Sequence, residues 1–225
     1  MSDVGGLDTE ELRLQIYHSF VETGAPPSTR DLAGALRIEP DVVEAGLHEL
    51  ARARHIVLDR GTRIVMAHPF ASVPMGFSVM GRETLWWGGC VWDSFALPHL
   101  LPAEGEVLVA TRCPACATPH AWNVGREEPP AGDQVAHFLI PAARIWDDVV
   151  HTCRHQMVFC SEACVDAWLD CTGHERGYVT DLATVWRLAS RWYEGRLERG
   201  YQRRDPTAAA DYLRSVGLSG SFWGL

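Results

Sequence analysis

The chain has 225 residues, a formal net charge of −9, and 20 basic side chains that are all arginine. That length suits one medium domain, or a module of about 70 residues joined to a core of about 150, and an acidic chain is a poor partner for phosphate-lined nucleic acid. No apolar run approaches the roughly 18 residues that span a bilayer, and Met1-Ser2-Asp3-Val4-Gly5-Gly6 lacks the regions of an export signal, so the cytoplasm is the expected compartment.

Residues 8–23 predict an amphipathic helix with Leu12, Ile16 and Phe20 on one face, ended by Pro26-Pro27. Ser28 or Thr29 can cap a short helix, Arg30–Leu36, and Pro40 starts a third through Val43, Leu47 and Leu50. Ile56-Val57-Leu58, a turn at Asp59-Arg60-Gly61, and Arg63-Ile64-Val65-Met66 read as a hairpin. Three helices and a hairpin describe a winged helix, expected over residues 1–68. Its third helix could read DNA through Asp41–Arg54, but Asp41, Glu44 and Glu49 oppose Arg52 and Arg54 there. That charge favours a scaffold over a DNA reader.

Residues 69–81, punctuated by Pro69, Pro74, Gly76 and Gly81, are expected as a linker to a core over 82–225. The core opens on a helix holding Cys90 and Asp93 and ending near Pro102. Strand candidates are Glu106–Arg112, His120–Gly125 and Val135–Ile140, separated by a turn at Cys113–Pro119 and a loop at Glu127–Asp133. Cys153–Phe159 leads into a short helix, Ser161–Leu169, which Ser161 can cap. A long helix over Asp181–Arg199 carries Leu182, Val185, Trp186, Ala189, Trp192 and Tyr193, and a last short helix falls within 205–225. The expected class is α+β, with a small sheet flanked by helices.

Seven cysteines, an odd number, fit a disulfide framework poorly, and in a reducing compartment they point to metal binding or catalysis. Cys90 and Asp93 are three residues apart, which places them on one helical face. A thiolate is both a nucleophile and a soft-metal ligand. The neighbouring carboxylate can accept the thiol proton and return it as a general acid. A two-coordinate soft metal needs a second sulfur from the opposite side, and Cys153 in His151-Thr152-Cys153-Arg154-His155 fits. A lone C-x-x-D is more often an inert thiol beside a solvated acid; the tryptophan-rich context weakens that reading here. Trp86, Trp87 and Trp92 could shape an apolar pocket, and His151 and His155 could tune Cys153, although structural roles are commoner for both sets. No glycine-rich phosphate loop or dinucleotide fingerprint is present.

The stretch Trp86-Trp87-Gly88-Gly89-Cys90-Val91-Trp92-Asp93-Ser94-Phe95-Ala96-Leu97-Pro98 resembles the active-site helix of the organomercurial (alkylmercury) lyase family. Cys153-Arg154-His155-Gln156-Met157-Val158-Phe159-Cys160-Ser161 resembles the segment with that family's second catalytic cysteine. The resemblance is sharp around 86–98, 112–119 and 151–168, and follows the family's order elsewhere, including a winged-helix-like N-terminal region. It implies Cys90 and Cys153 as mercury ligands and Asp93 as the proton relay that breaks the Hg–C bond. It further implies no organic cofactor, Hg(II) as bound product, organomercury compounds as substrates, and small thiols or a mercuric reductase as product acceptor. Cys113 matches a further, structural cysteine of the family. The chain departs from the family pattern at Arg154, where well-known members have a second adjacent cysteine. Cys116, Cys160, Cys164 and Cys171 are also additional, which leaves substrate range and product handling open.

The extra cysteines suggest a structural zinc. Cys113-Pro114-Ala115-Cys116 is a tight knuckle, and Phe159-Cys160-Ser161-Glu162-Ala163-Cys164 sets two thiols at a helix start. Together they can complete a tetrahedral site, and the second element resembles half of a small treble-clef module of the TRASH type. Cysteines at small buried core positions are the alternative. The competing function is a non-catalytic thiol protein that binds or senses metal on the same fold, with or without DNA binding. Asp93 separates the two readings, since a binder needs no proton donor beside its thiol.

Overall fold

The structure, a computed structural model, describes residues 3–4 and 6–225, with side chains from residue 6 onward. Two short antiparallel strands, β1 (Asp3–Val4) and β2 (Leu7–Asp8), precede three helices. Helix α1 (Thr9–Thr23) is capped by Asp8, whose side chain accepts from the Glu10 N–H. Helix α2 (Thr29–Leu36) carries a reciprocal capping box between Ser28 and Asp31, and α3 (Pro40–Arg52) starts on a proline. Each such cap contributes about 1 kcal/mol. Leu12, Ile16, Phe20, Leu32, Val43, Leu47 and Leu50 turn inward and join the main core.

Seven short strands follow in one antiparallel sheet: β3 (Val57–Leu58), β4 (Ile64–Ala67), β5 (Phe70–Ala71), β6 (Phe77–Met80), β7 (Leu85–Gly88), β8 (Val107–Arg112) and β9 (Pro119–Val124). Their spatial order is β3-β4-β5-β7-β6-β8-β9. Between β7 and β8 lies helix α4 (Val91–Leu100), buried from Val91 through Pro98. A second antiparallel sheet has β10 (Val135–Phe138) in the middle. Helix α5 (Val149–Arg154) leads into its edge strand β11 (Gln156–Phe159), and helix α6 (Glu162–Thr172) precedes the other edge, β12 (Tyr178–Asp181). Helix α7 (Leu182–Ser190) packs on α4, and α8 (Pro206–Ser215) completes the helices. The mixed α and β class is as expected.

Several boundaries differ from the sequence expectation. Residues 69–81 are not a bare connector. They carry β5 and β6, because Phe70, Ala71, Phe77 and Val79 are apolar and buried, so the sheet runs unbroken from the hairpin β3–β4 into the core. The principal sheet is therefore larger than the small one expected. Cys90 is the residue that caps α4, outside its helical turns, and Cys153 sits in α5 ahead of the strand. The long helix expected over Asp181–Arg199 stops at Ser190. Beyond it, Gly195 and Gly200 take left-handed backbone (φ 76° and 82°), and the irregular turns between them bury Arg196. Helix α6 runs on to Thr172, and Ser161 precedes it without a side-chain cap bond.

Helix α1 braces those irregular turns. Buried Arg13 pairs with Glu10 at 2.8 Å and donates to the carbonyls of Arg196 (2.5 Å) and Glu198 (2.6 Å). Arg199 in turn reaches Asp8 and Glu11. Removing Glu10 alone would strand a buried cation, at a cost of about 3–5 kcal/mol. Arg196 donates to the Tyr17 hydroxyl (3.1 Å) and to the His68 carbonyl (3.3 Å), so α1, the sheet and this segment share one polar knot.

Candidate active site

Cys90, two residues after β7, caps α4 in extended backbone (φ −161°, ψ −173°), with its Sγ accepting from the Asp93 N–H at 3.4 Å. Oxygen side chains cap helices better than sulfur, so capping does not account for a cysteine here. A helix N-terminus does favour a thiolate. Gly89 makes the arrangement possible. A Cβ at that position would lie 2.3 Å from Asp93 Oδ2 and 2.5 Å from Met66 Cε, so only glycine lets the carboxylate fold back over the start of the helix.

Asp93 is 1% exposed. Its Oδ2 accepts from Cys90 Sγ at 3.3 Å and from Cys153 Sγ at 3.8 Å, while its Oδ1 accepts from the Tyr193 hydroxyl at 2.5 Å. One carboxylate oxygen therefore lies between two thiols. Cys153 is presented by α5, which Asp148 caps through the His151 N–H, and its Sγ is 3.6 Å from His68 Nε2. No disulfide joins the cysteines.

Burial sets the protonation states. It raises Asp93 to about 6, against the opposing hydrogen bonds from Tyr193 and Cys90. Burial pushes the Cys90 thiol well above its ordinary range. For Cys153, a hydrogen bond with Cys90 pulls downward, but burial and the Asp93 charge outweigh it and the net direction is up. His68 is lowered to about 3, by burial first and then by Arg196 and Arg203, and is neutral at pH 7. At neutral pH the site therefore holds two protonated thiols facing a largely ionised carboxylate.

These groups open into a pocket of about 660 Å³, counted out to solvent, walled by Trp92, Trp146, Trp192, Gln156, Arg196 and Arg203. The Trp92 and Trp192 rings lie 4.8 Å apart. Trp86 is not part of it. Its ring is buried in the core, with the indole N–H on the Phe20 carbonyl at 2.8 Å, and Trp87 lines a separate groove beside Pro74 and Arg154. The His151 and His155 rings lie 4.2 Å apart, tilted against each other, outside the pocket. The group beside Cys153 is instead His68. The sequence pattern does not mark His68, Gln156 or Arg196 as pocket residues, and it places Tyr193 only on the expected long helix. Tyr193 had a signal, as an aromatic beside Trp192 near the end of an apolar stripe; His68 had none.

Cys113, Cys116, Cys160 and Cys164 form a second cluster, with sulfurs all within 4.8 Å of one another. Cys171 is exposed on α6 and stands apart from both sets.

A family model described as MerB, alkylmercury lyase, matches residues 70–194, more than half of the chain. The chain belongs to the alkylmercury lyase family. As a member, it is a lyase for carbon–mercury bonds. The matched span contains Cys90, Asp93, Cys153 and Tyr193, while His68 and Arg196 lie just beyond its ends. Among solved structures, the mercury-bound form of MerB2 is similar with a TM-score of 0.61 at 17% identity, covering 81% of this chain and 88% of that one. That likeness is one of fold. No curated protein matches the chain.

Proposed function

We propose that Cys90, Cys153 and Asp93 carry out protonolysis of the carbon–mercury bond. The observation that carries the reading is the single Asp93 oxygen within 3.3 Å of one buried thiol and 3.8 Å of the other. When R–Hg⁺ reaches Cys90, sulfur–mercury bonding makes the thiol acidic, and its proton passes to Asp93. Cys153 adds from the other side and loses its own proton, leaving mercury held by two sulfurs. Asp93 then delivers a proton to the carbon, the Hg–C electron pair becomes the new C–H bond, and R–H departs. The balance is R–Hg⁺ plus two thiols giving R–H, a mercury dithiolate and one H⁺. No organic cofactor is needed for any step.

Raised thiol pKa values suit the sequence of events, because a protonated thiol supplies the proton that the carbon finally receives. Tyr193 holds the far carboxylate oxygen, leaving Oδ2 free to face the sulfurs. The aromatic walls suit an organic group, and the less buried Arg203 and Arg204 of the lining suit anionic small thiols as acceptors of Hg(II); a mercuric reductase is the alternative acceptor.

The N-terminal helices and the hairpin β3–β4 act, in this reading, as a winged-helix-like scaffold over residues 1–68. Two features support that role: the braces from α1, and Arg54, whose guanidinium lies 5.3 Å over the Trp146 ring of the core. Exposed Asp41 and Glu44 on α3 argue against nucleic acid as a partner. No helix among the described residues is long and apolar enough to cross a membrane, and a cytoplasmic setting suits free thiols.

The test is direct. Purified protein with phenylmercury and excess small thiol should release benzene, one per mercury retained. A protein that binds the mercurial on both thiols yet never yields benzene is a metal binder, and the lyase reading fails.

A further inference from the structure

We propose that Cys113, Cys116, Cys160 and Cys164 hold one zinc ion, separate from the mercury pocket, which ties the β8–β9 turn to the start of α6. Zinc–thiolate bonds of about 2.3 Å place tetrahedral sulfurs about 3.8 Å apart. Here Cys116 and Cys160 are 3.5 Å apart, and all four sulfurs fall within 4.8 Å. The two halves come from distant chain segments, yet no disulfide forms between them.

The backbone is arranged for such an ion. Between Cys113 and Thr118 the chain folds into a knuckle. The Ala117 N–H bonds the Cys113 carbonyl at 2.8 Å, and the Cys113 N–H bonds the Thr118 carbonyl at 2.9 Å. Ala117 takes left-handed backbone (φ 58°), a conformation costly for a residue with a Cβ, to complete that turn. Cys160 and Cys164 bracket the N-terminus of α6, an 11-residue helix whose first turn lacks a side-chain cap, and its free N–H groups favour thiolate charge. The surroundings also offset a doubly negative tetrathiolate: His120 Nε2 is 3.6 Å from Cys160 Sγ, and Arg112 donates to the Ala117 carbonyl at 3.3 Å.

Apolar packing alone is thin here. The buried cluster at this end consists of Cys113, Phe159, Val165 and Leu169, set apart from the main core. Small cores of this kind are commonly completed by a metal or a disulfide. Zinc fits better than mercury, which prefers two sulfurs. The ion would also fix the far end of β11, the strand that begins three residues after Cys153; this clause alone rests on the lyase reading.

The experiment is metal analysis of the intact protein, produced and purified without added zinc or mercury. About one zinc per chain is expected. It should be retained in a Cys90→Ser/Cys153→Ser double variant and lost in Cys113→Ser/Cys116→Ser. Because loss of the ion can unfold the last variant, the unaltered chain is also exchanged with Co²⁺, which should give the intense visible absorption of a tetrahedral tetrathiolate. Metal-free wild-type protein whose four thiols react freely under native conditions overturns the proposal, as does iron in place of zinc. None of these readouts depends on Hg–C cleavage, so the two readings can fail independently.

Discussion

The molecule keeps two sets of thiols, and they differ in almost every physical respect. Cys90 and Cys153 are buried, only two in number, and share a carboxylate oxygen. Cys113, Cys116, Cys160 and Cys164 range from buried to exposed, are four in number, and have no carboxylate within the group. Two sulfurs leave a soft metal coordinatively open, and the adjacent acid gives it something to do. Four sulfurs close a borderline metal off, and no carboxylate stands among them. The same side chain thus serves turnover in one place and fixation in the other, and the neighbours decide which.

The sharpest way to break this contrast is Cys153→Ser. A hydroxyl cannot replace a soft thiolate, so benzene release from phenylmercury should vanish while circular dichroism stays native. Full turnover in that variant would remove Cys153 from the site. Next in size is Asp93→Asn. It should still capture the mercurial but release hydrocarbon about 10²–10⁴-fold more slowly, the usual worth of a positioned acid; equal single-turnover rates would defeat the relay role.

The same substitution tests the burial of Asp93 through stability. Its carboxyl stands at about 6 in the folded chain, against an ordinary aspartate value of 3.8. The native state therefore holds the proton more tightly, and folding loses stability as pH rises through that window. The cost is absent below both values and reaches about 3 kcal/mol above them. Asp93→Asn should accordingly melt higher than wild type near pH 7.5, with the gain shrinking towards pH 4. A variant that melts lower at both values would mean the carboxylate is better satisfied than its burial suggests.

Tyr193→Phe removes the hydrogen bond that favours ionised Asp93, so Asp93 should rise further above about 6. The acid limb of the pH–rate profile should move to higher pH, with a loss of roughly tenfold at fixed neutral pH. An unmoved limb would show that Asp93 does not set it. The smallest effect is on stability in Cys90→Ser. Serine caps a helix better than cysteine, so folding should be unchanged or stabilised by up to about 1 kcal/mol while activity is lost. A marked fall in denaturation midpoint would show that the sulfur is also needed for packing.

Local chemistry was the legible part of the chain. The spacing of Cys90 and Asp93, the knuckle at Cys113 and the apolar faces of α1 and α3 all lie within a few residues of one another, where period and spacing can be read directly. What escaped was long-range or irregular. β5 and β6 are two and four residues long between prolines and glycines, so punctuation hid them. Tyr193 and Arg196 look like the tail of a helix, but α7 stops at Ser190 and irregular turns carry both into the pocket. His68 reaches Cys153 across 85 positions of sequence, a distance that no local pattern reports.

The brace from α1 has a consequence for how the chain is made. Arg13 leaves the ribosome well before its partner carbonyl at Arg196, which follows 183 positions later. Contacts of such long sequence separation are slow to close. Until then the wall that carries Tyr193 does not exist, and Cys90 and Cys153 sit on a nascent chain with no pocket around them. The reacting thiols are thus most open to oxidation and stray metals before the protein is finished. A circular permutant that joins residue 225 to residue 1 and so brings residues 193–204 nearer to α1 in sequence should shorten that interval, and pulsed thiol labelling during refolding would measure by how much.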